Sequence, residues 1–372
     1  MRHAMRKKLI FTFIVFLFFL ALLEVVCHLL VASDSEYETI RRIKLGDNSL
    51  QVHNERVIAQ PYLNYVPAPG LEKKGYVQHN EHGYRGKLVP MMREENELRI
   101  LCLGGSTTYG WSAPNPDDAY PAQLERILRD RQTRWKKVNV INAGTPSGTS
   151  GELLTQYLFK FRYYKPDVVI INTGGNDVAA TLANNYSPDY SHYRKPLPAM
   201  RPLPAYSAWV FHSRLAAYVS IAIFFPELTA GQTFYTSKGK PVTNWFGTSF
   251  TSPQGLLDLE PDELAFRRNL QSLIREVRAD NAKAVLVPFR WNREKAAPRA
   301  QIKNAAEYAR HENVLKEVGE KMNVTIAPFP FDTITTDNWV DNCHLNGPGC
   351  REKAAHIAEY VMGILPDRPE SK

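Results

Sequence analysis

The chain contains 372 residues, of which 44% are hydrophobic and 23% are charged, and this composition excludes a globally disordered protein. Its four cysteines are too few for a disulfide scaffold, and no CxxC pair of the kind found in structural zinc sites is present. The formal net charge of +8 does not indicate a nucleic-acid surface, because Arg2, Arg6, Lys7 and Lys8 supply half of it.

A long apolar segment follows these basic residues. Residues 9–32 carry almost no charge, with Glu24 and His28 as the interruptions, and as a helix they are long enough to cross a bilayer. Because positive charge holds the flanking end in the cytoplasm, residues 1–8 are predicted to be a cytoplasmic tail and the rest extracytoplasmic, either periplasmic or extracellular. We expect a retained signal anchor, and a cleaved signal peptide is the alternative.

Residues 33–96 are predicted to be a connector followed by irregular structure, since prolines, glycines and polar residues interrupt each apolar run. Residues 97–366 then alternate apolar strands with amphipathic helices, before a short tail at 367–372. This alternation predicts a parallel sheet covered by helices on both faces. The predicted strands are Arg99–Leu103, Val138–Asn142, Asp167–Asn172, Ala284–Pro288 and Val324–Ala327. The predicted helices are Ala119–Gln132, Glu152–Tyr164, one opening at Pro261, Ile302–Met322 and Glu352–Leu365.

An insertion at about residues 178–258 separates the third and fourth strands and is rich in Tyr, Trp, Phe and Pro. Its most apolar part, Ser207–Phe225, resembles a second membrane span in composition. A second crossing would put the sequence motifs before and after it on opposite sides of the bilayer, and Arg214 adds a cost within the membrane. A packed helix is therefore predicted, as a lid or an interfacial surface. The aromatic residues either bury a core or stack on sugar rings.

Functional sites of parallel sheets form beyond the carboxyl ends of the strands. Three segments follow the first three strands there, at 104–110, 142–148 and 174–177, and a fourth at 341–347 precedes the last helix. In the first, two glycines allow a sharp turn that exposes Ser106, without the spacing of a phosphate-binding loop. In the fourth, Asp341 can orient the imidazole of His344, and His344 can take a proton from Ser106.

These four segments, in this order, resemble the SGNH hydrolases, also called GDSL-type esterases and lipases. The resemblance implies a flavodoxin-like three-layer sandwich with a central five-stranded parallel sheet, here with one N-terminal transmembrane helix. By that likeness Ser106 is the nucleophile, and Asp341 and His344 complete a catalytic triad. The oxyanion hole is then formed by the backbone N–H groups of Ser106 and Gly144 and by the side-chain amide of Asn176.

The resemblance covers about residues 98–365, with the insertion as its main interruption. Gly105 precedes the serine where Gly-Asp-Ser-Leu families carry an aspartate, which questions the subfamily more than the chemistry. Arg290, Trp291 and Arg293 follow the fourth strand and are predicted to face the site, where an arginine would hold an anionic substrate. A solvated loop is the alternative.

Cys343 and Cys350 flank the segment that carries His344. A disulfide between them would brace that segment in an extracytoplasmic domain, and two reduced thiols are the alternative. Nothing in the sequence indicates a metal or an organic cofactor.

The leading functional hypothesis is a membrane-anchored serine esterase that removes an acyl group, such as acetyl, from an extracytoplasmic glycan. An O-acyltransferase that passes the acyl group to a polysaccharide hydroxyl would use the same acyl-enzyme. A lysophospholipase or lipase is a third hypothesis, and an inactive glycan-binding module is a fourth. The expected partners are an acylated small molecule or glycan and the membrane, with no nucleic acid.

Overall fold

The structure is a computed structural model. It describes residues 2–30, 57–60, 62–73, 77–131, 134–182, 209–224, 264–292, 298–329 and 334–365, with shorter pieces within 37–45, within 186–193 and at 294–295. The chain divides into two compact units, which are described separately. The smaller comprises Met1–Glu55 and His192–Gln254, and the larger comprises Arg56–Ser191 and Gly255–Lys372.

The regular elements are numbered in chain order. The helices are α1 (Arg2–Leu30), α2 (Ser106–Tyr109), α3 (Tyr120–Arg131), α4 (Ser150–Phe159), α5 (Gly175–Thr181), α6 (Arg214–Phe224), α7 (Leu264–Ala279), α8 (Pro298–Lys321) and α9 (Gly347–Ile364). The strands are β1 (Val57–Gln60), β2 (Asn64–Pro67), β3 (Glu72–Lys73), β4 (Val77–Gln78), β5 (Glu97–Gly104), β6 (Lys137–Gly144), β7 (Val168–Thr173), β8 (Lys283–Pro288) and β9 (Thr325–Ile326).

The N-terminal apolar segment forms a single helix, α1, as predicted. No glycine or proline interrupts it, and Met5–Leu30 has the length and composition of a membrane span. None of that stretch is buried by the rest of the chain, so its apolar side chains are exposed. The insertion's apolar segment forms α6, whose 11 residues cover about 16 Å, too short to cross a bilayer.

Five parallel strands form the central sheet in the order β6-β5-β7-β8-β9. The register pairs Gly104, at the end of β5, with Gly144 of β6 and with Asn172 of β7. The carboxyl ends of these three strands therefore lie side by side, and the segments that follow them meet there. The predicted α/β fold with a five-stranded parallel sheet is confirmed.

Side chains of the sheet alternate between two helical layers. Leu101 and Leu103 of β5 pack with α4, α7 and α8, whereas Ile100 and Cys102 pack with α3 and α9. All four side chains are fully buried. Truncation of such a leucine to alanine costs about 2–5 kcal/mol, so these two layers hold the strand ends in place.

The segment before the sheet is more ordered than predicted, because β1 pairs with β2 and β3 pairs with β4 in two antiparallel hairpins. It packs on the loop that follows Ser106. The buried Arg85 guanidinium donates to the carbonyl oxygens of Tyr109, Gly110 and Ala113, and His79 Nε2 lies 2.7 Å from Tyr109 Oη. The larger unit accordingly begins at Arg56, within the predicted connector.

Several element bounds differ from prediction by a few residues, including the end of α4 at Phe159 where Tyr164 was predicted. The helix expected to open at Pro261 is described only from Leu264, since residues 251–263 lie outside the described part of the chain. The last helix begins at Gly347, earlier than predicted, because the Asn346 side chain accepts the Gly349 N–H and caps it.

Candidate active site

The turn after β5 places Ser106 at the start of the short helix α2. Two glycines make this turn possible. A Cβ on Gly104 would lie 2.0 Å from Thr108 Oγ1 and 2.7 Å from the Asn172 carbonyl oxygen, so the turn folds tightly over the neighbouring strand. A Cβ on Gly105 would lie 2.5 Å from Asn176 Nδ2. Glycine at 105 therefore lets the Asn176 amide approach the turn.

Ser106, His344 and Asp341 form a continuous hydrogen-bonded chain, although 235 residues separate the serine from the aspartate in sequence. His344 Nε2 lies 2.8 Å from Ser106 Oγ, and His344 Nδ1 lies 2.7 Å from Asp341 Oδ2. A carboxylate only accepts hydrogen bonds, so the ring proton belongs on Nδ1 and Nε2 is left as an acceptor for the serine hydroxyl. The structure thus assembles the three residues that the sequence predicted.

The Asp341 carboxylate is held in its ionised form. Its Oδ1 accepts the backbone N–H groups of Cys343 and His344, each at 2.8 Å. Partial burial opposes ionisation, but the hydrogen bonds from the His344 ring and from these backbone groups outweigh it and lower the pKa of Asp341 well below its usual range. An ionised Asp341 stabilises the imidazolium that forms when His344 takes a proton.

Asn176 lies in the first turn of α5 and lines the same pocket as Ser106. Its Nδ2 donates one hydrogen bond, of 2.9 Å, to the Gly148 carbonyl oxygen. A primary amide has two N–H donors, so the second is available to an oxyanion above Ser106.

Asp177, next to Asn176, connects this turn to neighbouring segments through hydrogen bonds and was not predicted as a site residue. Its buried carboxylate accepts the Ser150 N–H, the Ser150 hydroxyl at 2.6 Å and the Tyr190 hydroxyl at 3.0 Å. Burial raises the pKa of Asp177. The hydrogen bonds from Ser150 and the electrostatic interaction with nearby His311 act against this shift. The Asn-Asp pair at a strand end was visible in the sequence, but its partner Ser150 lies on a different helix.

Gly144 does not contribute to the pocket, and this prediction needs correction. Its N–H donates to Asn142 Oδ1 at 3.1 Å, and a Cβ there would lie 2.1 Å from the Tyr109 backbone nitrogen. The reason is that β6 continues through Gly144, so the chain leaves the sheet only afterwards. Gly148, four residues later, is the glycine of this segment that lines the pocket.

Ser106 lies at a pocket whose lining comes from several segments. Its lining comprises Gly105, Ser106, Thr107, Gly148, Asn172, Thr173, Gly174, Gly175, Asn176, Phe289, Tyr308 and Cys343. Two aromatic rings form one wall, where Phe289 and Tyr308 stack with ring centroids 5.4 Å apart.

Of the residues predicted after the fourth strand, Arg290 and Trp291 are not among those that line this pocket. Arg290 forms an ion pair of 2.8 Å with Glu312 of α8, so its charge is already paired. Trp291 is nearly buried and stacks behind the wall on Tyr308, with centroids 5.2 Å apart. Arg293 lies outside the described residues. Phe289, one residue before the predicted group, is the one that reaches the pocket.

The possible disulfide is not formed, because Cys343 and Cys350 are both free thiols with different neighbours. Cys343 lines the pocket with its Sγ 3.5 Å from His344 Nδ1, whereas Cys350 is buried beside the Leu345 carbonyl oxygen. Asp341, Cys343 and His344 also group their ligand atoms within 4.8 Å of one another. Both imidazole nitrogens already have partners, and burial raises the pKa of the Cys343 thiol, so the set does not favour a metal.

Comparison with known proteins identifies the family of this chain. The sequence pattern of the "GDSL-like Lipase/Acylhydrolase family" matches residues 102–351, which include Ser106, Asn176 and His344. No curated protein matches the chain significantly.

Solved structures with similar folds include a lipase/acylhydrolase from Enterococcus faecalis, at 17% identity and a TM-score of 0.43, covering 73% of this chain and 100% of the other. They also include the acetyl xylan esterase AlAXEase, at 12% identity and a TM-score of 0.43, covering 72% and 100%. A catalytic mutant of the acetylxylan esterase Axe2 from Geobacillus stearothermophilus matches at 14% identity and a TM-score of 0.42, covering 71% and 94%. The chain belongs to the GDSL-like lipase/acylhydrolase family and is an ester-hydrolysing enzyme of the SGNH type.

Proposed function

We propose that this protein is a membrane-anchored serine esterase that removes a small acyl group, acetyl in the first instance, from an extracytoplasmic glycan. The observation that carries the proposal is the chain from Asp341 through His344 to Ser106, which ends at a pocket that also holds the Asn176 amide. A serine hydroxyl becomes nucleophilic only when a positioned base removes its proton, and this arrangement supplies that base.

The first half of the reaction forms an acyl-enzyme. Ser106 Oγ attacks the ester carbonyl carbon while its proton moves to His344 Nε2, and the carbonyl electron pair moves onto oxygen. The Asn176 amide and the Ser106 N–H donate to that oxyanion. As the intermediate collapses, the C–O bond to the alcohol breaks, and the leaving oxygen takes the proton from Nε2.

The second half releases the acyl group. Water gives a proton to His344 Nε2 as it attacks the acylated Ser106, and the serine oxygen recovers that proton when the carboxylic acid leaves. An acceptor hydroxyl of a sugar would enter at the same point in a transferase. Hydrolase and transferase therefore differ in the acceptor and share every step that Ser106 and His344 perform.

A small acyl group is supported by the residues that line the pocket. Four of the described lining residues are glycines, and the large apolar side chains among them are the stacked rings of Phe289 and Tyr308, so the described lining offers little apolar surface for a long acyl chain. The extracytoplasmic location is supported by the basic residues in the first two turns of α1, before its apolar stretch, because such residues are retained in the cytoplasm.

The substrate class is tested with full-length protein in detergent and a series of 4-nitrophenyl esters together with an acetylated xylo-oligosaccharide. We expect acetyl to be removed faster than octanoyl, with free acetate as the product from the sugar. A preference for octanoyl would indicate a lipase instead. Acetate appearing on an added sugar acceptor, in place of free acetate, would indicate a transferase.

The role of the amide is tested with Asn176→Ala. Loss of one oxyanion donor lowers kcat by about 10²–10³ with little change in KM, because the donor acts on the transition state. Ser272→Ala, on α7 outside the pocket, serves as the matched control and retains full activity. Equal kcat in Asn176→Ala and wild type would remove Asn176 from the proposed oxyanion hole.

A further inference from the structure

The smaller unit contains a contact between the apolar helices α1 and α6. The carboxylate of Glu24, in α1, accepts three hydrogen bonds from the start of α6: from the Ser213 hydroxyl at 2.8 Å, from the Arg214 N–H at 2.7 Å and from the Leu215 N–H at 2.9 Å. The first N–H groups of a helix lack partners within it, and their end of the helix dipole favours negative charge. Glu24 thus caps α6 from another helix.

The position of Glu24 along α1 sets the depth of this contact. If the hydrocarbon core begins at Leu9, a 30 Å layer ends near His28, and Glu24 lies about 6 Å inside its outer edge. A carboxylate at that depth is costly unless donors satisfy it. The first turn of α6 provides those donors.

Arg214 connects this turn to more polar surroundings. Its guanidinium reaches the His28 carbonyl oxygen at 3.5 Å and Glu38 Oε1 at 3.2 Å, beyond Glu24 along the chain. Glu38 is buried and also binds Arg41 at 2.9 Å and the Tyr218 hydroxyl at 2.6 Å. Glu38, Arg41 and Arg214 therefore form a charged group with Glu24 near the C-terminal end of α1, as expected of side chains that extend toward the membrane surface.

The rest of α6 is apolar. Residues 216–224 carry no charged side chain. One face buries Ala217 and Ile221 together with Phe211, while Val219 on the other face is 45% exposed. Trp209, just before the helix, is 69% exposed, and tryptophan is enriched at membrane interfaces. The helix that α6 contacts, α1, has the composition of a membrane span.

We propose that α6 is a second membrane-contacting helix, held by Glu24 against α1 in the outer boundary between hydrocarbon and headgroups. Its partner is lipid, and it does not cross the bilayer. Within the insertion, α6 is then a membrane-docking element, and α1 is a permanent part of the folded protein. The proposal is independent of the esterase chemistry.

The test uses the full-length chain in phospholipid vesicles, with Cys27 and Cys343 replaced by serine and a nitroxide attached at Val219→Cys. A matched nitroxide at Met92→Cys, a residue 86% exposed in the larger unit, reports on water. At each position, the rate at which the nitroxide collides with oxygen, which partitions into lipid, is compared with the rate at which it collides with a water-soluble nickel chelate. We expect oxygen to dominate at position 219 and the chelate at position 92.

Equal chelate access at 219 and 92 would overturn the proposal. Low access of both reagents to 219 would also overturn it, because it would indicate that Val219 is buried against protein or a second copy of the chain. Glu24→Ala is expected to increase chelate access at 219, and Glu24→Gln, which keeps an acceptor oxygen, to increase it less. No change in Glu24→Ala would overturn the role of Glu24. A mature protein that begins after Leu30 would overturn the retention of α1.

Discussion

The Nζ of Lys353 donates a 2.7 Å hydrogen bond to Asn172 Oδ1 directly beneath the catalytic pocket. Asn172 Oδ1 also accepts the hydroxyl of Thr107, the residue after Ser106, so one buried amide links the last helix to the nucleophile turn. The Asn172 Nδ2 donates to the Val287 carbonyl oxygen on β8 at 3.0 Å. Three neighbouring segments therefore meet at this asparagine.

Lys353 makes the stability of the protein depend on pH. It is 2% exposed, and its ammonium faces two rings and two thiols: Tyr120 at 4.4 Å, Phe329 at 5.4 Å, Cys350 and Cys102. Burial lowers the pKa of Lys353 to about 8. Between that value and the usual lysine range the unfolded chain binds more protons than the folded one, so the contribution of Lys353 to stability increases as pH rises through this window.

Methionine has a shape similar to lysine and no charge. We therefore expect Lys353→Met to be more stable to unfolding than wild type, with the largest margin at pH 7. The advantage should shrink toward pH 10, by about 3 kcal/mol at most. Thermal unfolding of both proteins at several pH values measures this change. Subtracting the Tm of wild type from that of Lys353→Met at each pH cancels the titration of the groups that the two proteins share. A difference in Tm that is constant from pH 7 to pH 10 would contradict the buried ammonium.

Gly105 is expected to be essential for the position of Asn176. In Gly105→Ala the new methyl would lie 2.5 Å from Asn176 Nδ2, so the amide must move away from the pocket. We expect kcat to fall by about 10² with a smaller effect on KM, as for loss of an oxyanion donor.

Gly347→Ala is the matched control for this variant, because its Cβ would meet nothing closer than 3.4 Å. Steady-state kinetics on 4-nitrophenyl acetate compares the two. If Gly105→Ala and Gly347→Ala were equally active, the close approach of the amide to the turn would be wrong.

The two cysteines near His344 should differ in reactivity. Cys343 is half-buried and lines the pocket, whereas Cys350 is 2% exposed. We expect a small alkylating reagent to modify Cys343 slowly in the folded protein, because burial raises the pKa of its thiol. The modification should reduce activity, because Cys343 lines the pocket. Cys350 should react only after unfolding. Mass spectrometry without reductant checks both, and a peptide pair joined by a disulfide would contradict the structure.

The fold was predictable because each buried strand is short, apolar and followed by an amphipathic helix. The site was predictable from polar side chains in the segments that follow two strands, which carry Ser106 and Asn176, and from the segment before the last helix, which carries Asp341 and His344. Gly144 was misplaced because the sequence does not show where β6 leaves the sheet. Arg290 was misplaced because its charge is paired by Glu312, a contact that depends on the packing of α8.

Lys353 shows a different limit. A lysine within an amphipathic helix predicts a solvated face, and only the packing of α9 on α3 and β7 reveals that this one is buried. The hairpins before the sheet were missed for a related reason. β3 and β4 have two residues each, too few for alternation to be recognised, and the segment is held by the contacts of Arg85 instead.

In the proposed mechanism Ser106 carries the acyl group during turnover. Full-length protein is mixed with 4-nitrophenyl acetate, quenched in acid within the first turnovers and analysed by peptide mass spectrometry. The account predicts one acetyl group on the peptide that contains Ser106, less of it in His344→Ala, and none in Ser106→Ala, which should also lose hydrolysis by about a thousandfold or more. Undiminished hydrolysis by Ser106→Ala, or acetyl found only on another residue, would contradict it.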